Sequence, residues 1–283
     1  MTTHTPQSTS RLLDSDSPVH YHVAGQGPAL LLLHGSGPGV SAWDNFGWLF
    51  DEFADRFTLI AVDQPGFGAS YRPEMSRDYA AVSLAAVRRV LEAEGVTRVH
   101  VLGNSLGGMV GLRLALDHPE LVDKIVMLGP GGLGFPVFGP QPAEGIVRLI
   151  EFTQEPTRDR FETWLRSMVS DPSTLTPEFI ERRWTAATET QAFEFTRDFY
   201  AGALQAMKST TISPLLVRAA ELDKPVLMVA GRDDRATPLE SALVPLRTLR
   251  QIELHVFSNA GHWVMLDQPR AFLTVVAEFL ARD

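Results

Sequence analysis

There is no cysteine in this chain. Disulfides, thiol nucleophiles and cysteine-ligated metals are excluded, and the composition suits a reducing compartment. Basic charge is scarce as well. The 25 Lys and Arg residues stand against 34 Asp and Glu, a net charge of −9, and no basic run occurs. Such a chain is not built to bind nucleic acid or an anionic membrane surface. No apolar stretch approaches the roughly 20 residues of a membrane span. The first 17 residues are polar and rich in Ser and Thr, without the apolar segment of a secretory signal. The expectation is a soluble cytoplasmic protein with no membrane or nucleic-acid partner. Apolar residues, by contrast, make up 45% of the 283 positions. That is enough for one large α/β core carrying an insertion.

The patterning supports that class. His20 to Ala24 reads as an edge strand stopped by Gly25-Gln26-Gly27-Pro28. Ala29 to Leu33, Phe57 to Val62, Arg98 to Leu102, Lys124 to Leu128 and Val226 to Ala230 are apolar runs of the kind a parallel sheet buries on both faces, and Ile252 to Phe257 reads as the last strand. Helical spacing lies between them, over Trp43–Phe53, 77–94, 106–118 and 269–280. Strands and helices in alternation mean a mostly parallel sheet flanked by helices. From Glu144 to about Lys208 only helical periodicity appears. The division expected is a core at 1–134, a helical lid at 135–210 and the rest of the core at 211–283. An insertion there sits over the C-terminal strand ends, where ligands of such folds bind.

Gly103-Asn104-Ser105-Leu106-Gly107 is the focus. It follows a buried strand and opens a helix, the setting of the G-x-S-x-G nucleophile elbow. Gly103 and Gly107 keep side chains out of a tight turn. The Leu106 amide at the helix start is free to meet an anion. Serine needs a base within hydrogen-bond reach. Of the eight histidines, His262 lies in a loop after the last strand, at the same sheet edge as Ser105. The others read as leader, strand, helix-end or loop-support residues. An imidazole base needs a carboxylate behind it. Asp233 and Asp234 follow the strand Val226–Ala230, and Asp63 follows an earlier one as a rival. The chain order Ser, Asp, His is that of the α/β-hydrolase fold. The glycine-rich loop Gly35-Ser36-Gly37 is placed to supply a second oxyanion donor beside Leu106. Gly129-Pro130-Gly131-Gly132-Leu133-Gly134 matches the dinucleotide fingerprint, but Phe135-Pro136-Val137-Phe138-Gly139-Pro140 cannot open the helix such a site requires. No cofactor and no metal are expected.

These residues resemble the α/β-hydrolases that cleave carbon–carbon bonds in meta-cleavage products, the 2-hydroxy-6-oxo-hexa-2,4-dienoates of aromatic and steroid catabolism. The segments that carry the resemblance are His34-Gly35-Ser36-Gly37-Pro38-Gly39, Ser41-Ala42-Trp43-Asp44-Asn45-Phe46, Asp63 to Gly68, and Gly103 to Gly108. Met127 to Leu133, Arg183-Trp184, Gly231 to Arg235, and Leu254 to Phe257 with Gly261-His262-Trp263 complete the set. The resemblance runs over nearly the whole chain from about His20. It implies a triad of Ser105, His262 and Asp234, with Asp234 chosen over Asp233 by the family's G-x-x-D-x-x-x-P spacing. It implies an oxyanion hole from Leu106 and Ser36. Arg183 would hold the dienoate carboxylate, with Gly35, Asn45, Asn104 and Trp263 lining the polar half of the site. The implied reaction converts dienol to keto form, adds Ser105 or water to the C6 ketone, and breaks the C5–C6 bond. A homodimer or higher homo-oligomer is also implied.

Relatives often carry tryptophan where Ala230 stands, and a larger residue at Ala236. The stretch after Trp263, Val264-Met265-Leu266-Asp267, departs too. The expectation from these smaller residues is room for a bulky C6 group. A carboxylesterase or lactonase with the same triad is the alternative function, and a ligand receptor on the same fold is a third.

Overall fold

The computed structural model describes residues 4–74, 78–131, 133, 142–207 and 213–282. Four consecutive leucines mark its centre. Leu30 to Leu33 are all fully buried. Because side chains alternate along a strand, Leu30 and Leu32 enter one apolar cluster, with Phe46, Phe50 and Leu102, while Leu31 and Leu33 enter another, with Val87, Val110 and Ile125. A strand buried on both faces needs a layer on each side, and the chain supplies them.

In order, the elements are α1 (Pro6–Thr9), β1 (Ser10–Leu13), β2 (Val19–Gly25), β3 (Ala29–Leu33), α2 (Ala42–Phe46), α3 (Leu49–Phe53), β4 (Thr58–Val62) and α4 (Tyr79–Ala93). Then come β5 (Val99–Asn104), α5 (Leu106–Asp117), β6 (Val122–Leu128), α6 (Glu144–Gln154), α7 (Arg158–Ser167), α8 (Pro177–Thr188), α9 (Thr190–Met207) and α10 (Pro214–Ala219). The chain closes with β7 (Val226–Gly231), α11 (Leu243–Thr248), β8 (Ile252–Phe257), α12 (Val264–Asp267) and α13 (Pro269–Ala281). The eight strands form one sheet in the order β1-β2-β4-β3-β5-β6-β7-β8. β3 to β8 run parallel, and β1 and β2 are antiparallel additions. This is the α/β-hydrolase fold, in which the crossovers place helices on both faces.

Two expectations need correcting. His20–Ala24 is not an edge strand, because Ser10 to Leu13 pair antiparallel with Val19 to His22 and take the edge. The polar leader thus supplies α1 and β1. Trp43–Phe53 is not one helix but two. The N–H of Gly47 bonds to the Trp43 carbonyl, and the Trp43 indole occupies the space a Cβ at Gly47 would need. The Gly47-Trp48 step separates α2 from α3.

Among the described residues, four α-helices, α6 to α9, stand between β6 and α10. Threonine side chains start two of them. Thr157 caps α7 through the Arg160 N–H, and Thr176 caps α8 through the Phe179 N–H, with Pro177 at its first position. Their apolar faces meet in an aromatic cluster of Phe152, Phe161, Trp164, Trp184 and Phe193. The expected boundaries of this insertion at 134/135 and 210/211 lie outside the described residues, as do Gly132, Gly134 and the Phe135–Pro140 stretch. Among the described residues, no helix is long and apolar enough to cross a membrane.

Candidate active site

Strand β5 ends at Asn104 and helix α5 begins at Leu106, so Ser105 alone makes the turn. It does so at φ 50°, ψ −110°, a left-handed backbone conformation that costs a non-glycine residue about 1–3 kcal/mol. Backbone bonds hold it there. The Ser105 N–H reaches the Leu128 carbonyl at 2.8 Å, and the Ser105 carbonyl accepts from Gly131 at 3.1 Å. A Cβ at Gly103 would run into the backbone of Gly107, and one at Gly107 into the Leu33 carbonyl. The strained turn therefore needs glycine at both positions, and Ser105 at its apex lines the cavity.

Behind the site, His262 Nδ1 lies 2.9 Å from Asp234 Oδ2. Both side chains are buried. The other carboxylate oxygen of Asp234 accepts from the Ala236 and Thr237 N–H groups at 2.7 and 2.8 Å, and the Thr237 hydroxyl donates to Oδ2 at 2.8 Å. Asp234 is thus fixed by its own loop, with one lone pair aimed at the imidazole. Asp233, one residue earlier, turns outward to Arg232 and Ser170. Asp63 is committed elsewhere, to His20 at 2.8 Å and to the Ala42 and Ala69 amides. Burial opposes its ionisation, but these donors and His34 outweigh it and hold its pKa below the usual carboxylate value. No hydrogen bond joins Ser105 to His262 among the described residues. Such contacts commonly tighten only when substrate is bound.

The loop after β3 approaches from the other side. His34 supports it: Nδ1 lies 2.6 Å from the Gly35 carbonyl, and Nε2 accepts from the Gln64 N–H at 2.9 Å. Burial lowers the His34 pKa, keeping the ring neutral as that acceptor role requires. At Gly35 a Cβ would fall 2.8 Å from Asn104 Oδ1. Leu106 is the first residue of α5, so its N–H has no acceptor within the helix. The Ser36 N–H likewise faces no described acceptor, and the Ser36 hydroxyl lies 2.7 Å from that of Tyr200 in α9.

A cavity of about 350 Å³ joins these parts. Gly35, Ser36, Asn45, Asn104, Ser105, Leu106, Arg183, His262 and Trp263 all line it. Asp234 stands behind His262. Ala236 lines the cavity, but Ala230 does not; it is buried within β7. Any effect of the smaller residue at 230 on pocket room is indirect.

Arg183 is the unusual member. It comes down from α8, is 3% exposed, and donates through Nε and Nη2 to the Pro38 carbonyl at 3.2 and 2.8 Å. Its guanidinium sits 5.4 to 5.8 Å from the rings of Trp263, Phe179 and Trp164. Burial pulls its pKa down to about 10, against the attraction of Asp44, so it stays charged near neutrality. It forms no ion pair among the described residues; Asp44 pairs with Arg182 instead. Close by, Asn45 Nδ2 and Asn104 Oδ1 are buried without hydrogen-bond partners. A desolvated cation and two unmet amide groups around one cavity are chemically suited to an anionic, hydrogen-bonding ligand.

Comparison with known proteins accords with this arrangement. Residues 28–269 match the alpha/beta hydrolase fold family. The chain is 34% identical over 268 residues to a 2-hydroxy-6-oxo-6-phenylhexa-2,4-dienoate hydrolase of Comamonas testosteroni, covering 94% of this chain and 92% of the relative. The chain belongs to the meta-cleavage product hydrolase family. A second relative from the same organism, a 2-hydroxy-6-oxononadienedioate/2-hydroxy-6-oxononatrienedioate hydrolase, is 32% identical, with coverage of 93% and 91%. Among solved structures, the 2-hydroxy-6-oxo-6-phenylhexa-2,4-dienoate hydrolase of a Rhodococcus species superposes with a TM-score of 0.85. It is 27% identical and covers 97% of this chain and 100% of its own.

Two residues of this family member's site escaped the sequence. Thr237 completes the hydrogen bonding of Asp234 and also lies 3.2 Å from His262 Nδ1. Its place directly after the aspartate loop was a usable signal. Tyr200 had none, since only the packing of α9 onto the Ser36 loop brings it in.

Proposed function

We propose that this protein hydrolyses the C5–C6 bond of a 2-hydroxy-6-oxo-hexa-2,4-dienoate, with Ser105, His262 and Asp234 as its triad. The insertion α6–α9 serves as the lid, and the protein works in the cytoplasm as a homodimer or higher homo-oligomer. The observation that carries the proposal is Arg183. A buried arginine that pairs with no carboxylate among the described residues, in the same cavity as a strained serine, calls for a substrate that brings its own carboxylate. An esterase would have no use for it.

The placement of these residues supports the following steps. Arg183 binds the dienoate carboxylate, and Asn45 and Asn104 hydrogen-bond the polar end. The dienol is converted to its keto form: the C2 hydroxyl loses its proton, C5 gains one, and the C2 ketone, conjugated through C3=C4, becomes the sink for the electrons of the C5–C6 bond. Ser105 Oγ adds to the C6 ketone as His262 takes its proton, and Asp234 stabilises the imidazolium. The Leu106 and Ser36 amides receive the developing oxyanion. Collapse breaks C5–C6, the electrons pass into the dienolate, and His262 returns a proton. This yields 2-hydroxypenta-2,4-dienoate and a Ser105 ester. Water, deprotonated by His262, then releases the acid.

Decay of the visible absorbance of a meta-cleavage product tests this, run beside a p-nitrophenyl ester. Rapid bleaching, abolished in Ser105→Ala and strongly weakened in Arg183→Ala, is the expected result. Ester turnover without bleaching would leave an esterase or lactonase on the same triad.

A further inference from the structure

The cavity holds one positive charge. Arg183 is the only Lys or Arg among its described lining residues. Beyond Ser105, His262 and the two asparagines, the lining residues that carry hydroxyls are Ser36, Tyr200, Thr237 and Ser241. Ser36 and Tyr200 bond to each other, and Thr237 bonds to Asp234. Ser241 is the remaining one. The other walls are apolar: Ile146 and Leu149 from α6, Met168 after α7, and Ala236 and Phe199. Methionine and alanine meet there, since a Cβ at Gly145 would touch the ends of both Met168 and Ala236.

From this we infer that the C6 substituent accepted here is uncharged and apolar, an aryl or alkyl group, and not a chain ending in carboxylate. The inference rests on the dienoate reading, in which Arg183 is already taken by the dienoate carboxylate. Among the described lining residues, a second carboxylate in the cavity would meet no other cation. It would lose its hydration against apolar walls, and the Asp234 carboxylate behind His262 would repel it. The protein's net charge of −9 adds no compensating field. An apolar group loses nothing by leaving water and gains contact with Ile146, Leu149 and Met168.

The test compares two dienoates, one with phenyl at C6 and one with a propionate tail there. Turnover is measured with the native protein and binding with Ser105→Ala. The phenyl compound is expected to have kcat/KM at least about 100-fold higher and to bind at least about 30-fold more tightly, the scale of burying one unpaired carboxylate. Ile146→Arg, which places a second cation on the apolar wall, is expected to raise the relative rate of the propionate compound about 10-fold or more. Turnover of both compounds within about 10-fold would overturn the inference while leaving C–C hydrolysis intact. The phenyl preference in binding, with neither compound bleached, would uphold it and overturn C–C hydrolysis. Equal binding without bleaching would overturn both.

Discussion

The hydroxyls of Tyr200 and Ser36 lie 2.7 Å apart, and this bond ties helix α9 of the insertion to the glycine-rich loop after β3. Tyr200 is buried, and burial raises its pKa to about 12 although the Ser36 bond and Arg183 pull the other way. It therefore stays protonated throughout the assay range. Tyr200→Phe removes the bond and little else. The expected result is a kcat lower by about 2- to 10-fold with KM nearly unchanged, the worth of one neutral hydrogen bond. Ser36→Ala should match it, and the double variant should be no worse than either. Additive losses in steady-state kinetics would show that the two act separately.

The two adjacent aspartates give a sharper contrast. Asp234→Asn keeps the shape but loses the charge behind His262, so kcat should fall by about 10⁴-fold, as in other triads. Asp233→Asn touches only the outward contacts to Arg232 and Ser170 and should stay within about 3-fold. Single-turnover bleaching measures both without interference from product release.

That contrast also marks what the sequence could reveal. Ser105 was legible because its turn needs local signals: a strand, glycines on both sides, a helix. His262 was legible from its place after the last strand. Geometry alone could not choose between Asp233 and Asp234 beforehand, because the choice depends on the Ala236 and Thr237 amides folding back onto one carboxylate. The central strands β3 to β7 were legible because burial on both faces makes them mostly apolar. The edge strand β1 was not, since its burial is slight and Arg11 and Leu12 are exposed. Tyr200, Ile146 and Met168 come from three parts of the insertion, and only tertiary packing brings them to one cavity.

Acid should loosen the fold. His22 is buried beside Trp43 and bonded to Thr9 in α1. Burial, then the neighbouring His20, lowers its pKa to about 4, with Asp63 opposing. A histidine held neutral in the fold contributes stability that is fully present above its unfolded pKa of about 6.5 and is lost as pH falls toward 4. His34 and His100 shift the same way. The urea midpoint should therefore fall between pH 7.5 and pH 5. His22→Gln should flatten that dependence, because it removes the proton that cannot be accepted inside. A midpoint unchanged over this range would contradict the assignment.

Arg183 permits the most selective test of the site. Its two donors to the Pro38 carbonyl fix the guanidinium plane, and three aromatic rings surround it. Arg183→Lys keeps the charge but has one compact ammonium on a flexible stem, which cannot hold the Pro38 carbonyl and pair with a carboxylate through two parallel bonds. On a dienoate, kcat/KM should fall by about 10- to 100-fold in Arg183→Lys and by about 10²- to 10³-fold in Arg183→Ala. Hydrolysis of a neutral p-nitrophenyl ester makes no demand on that cation and should stay within about 3-fold in both. A parallel loss on both substrates would mean that Arg183 holds up the Pro38 loop and the oxyanion donor beside it. A loss confined to the dienoate would mean that the buried charge is there for the substrate.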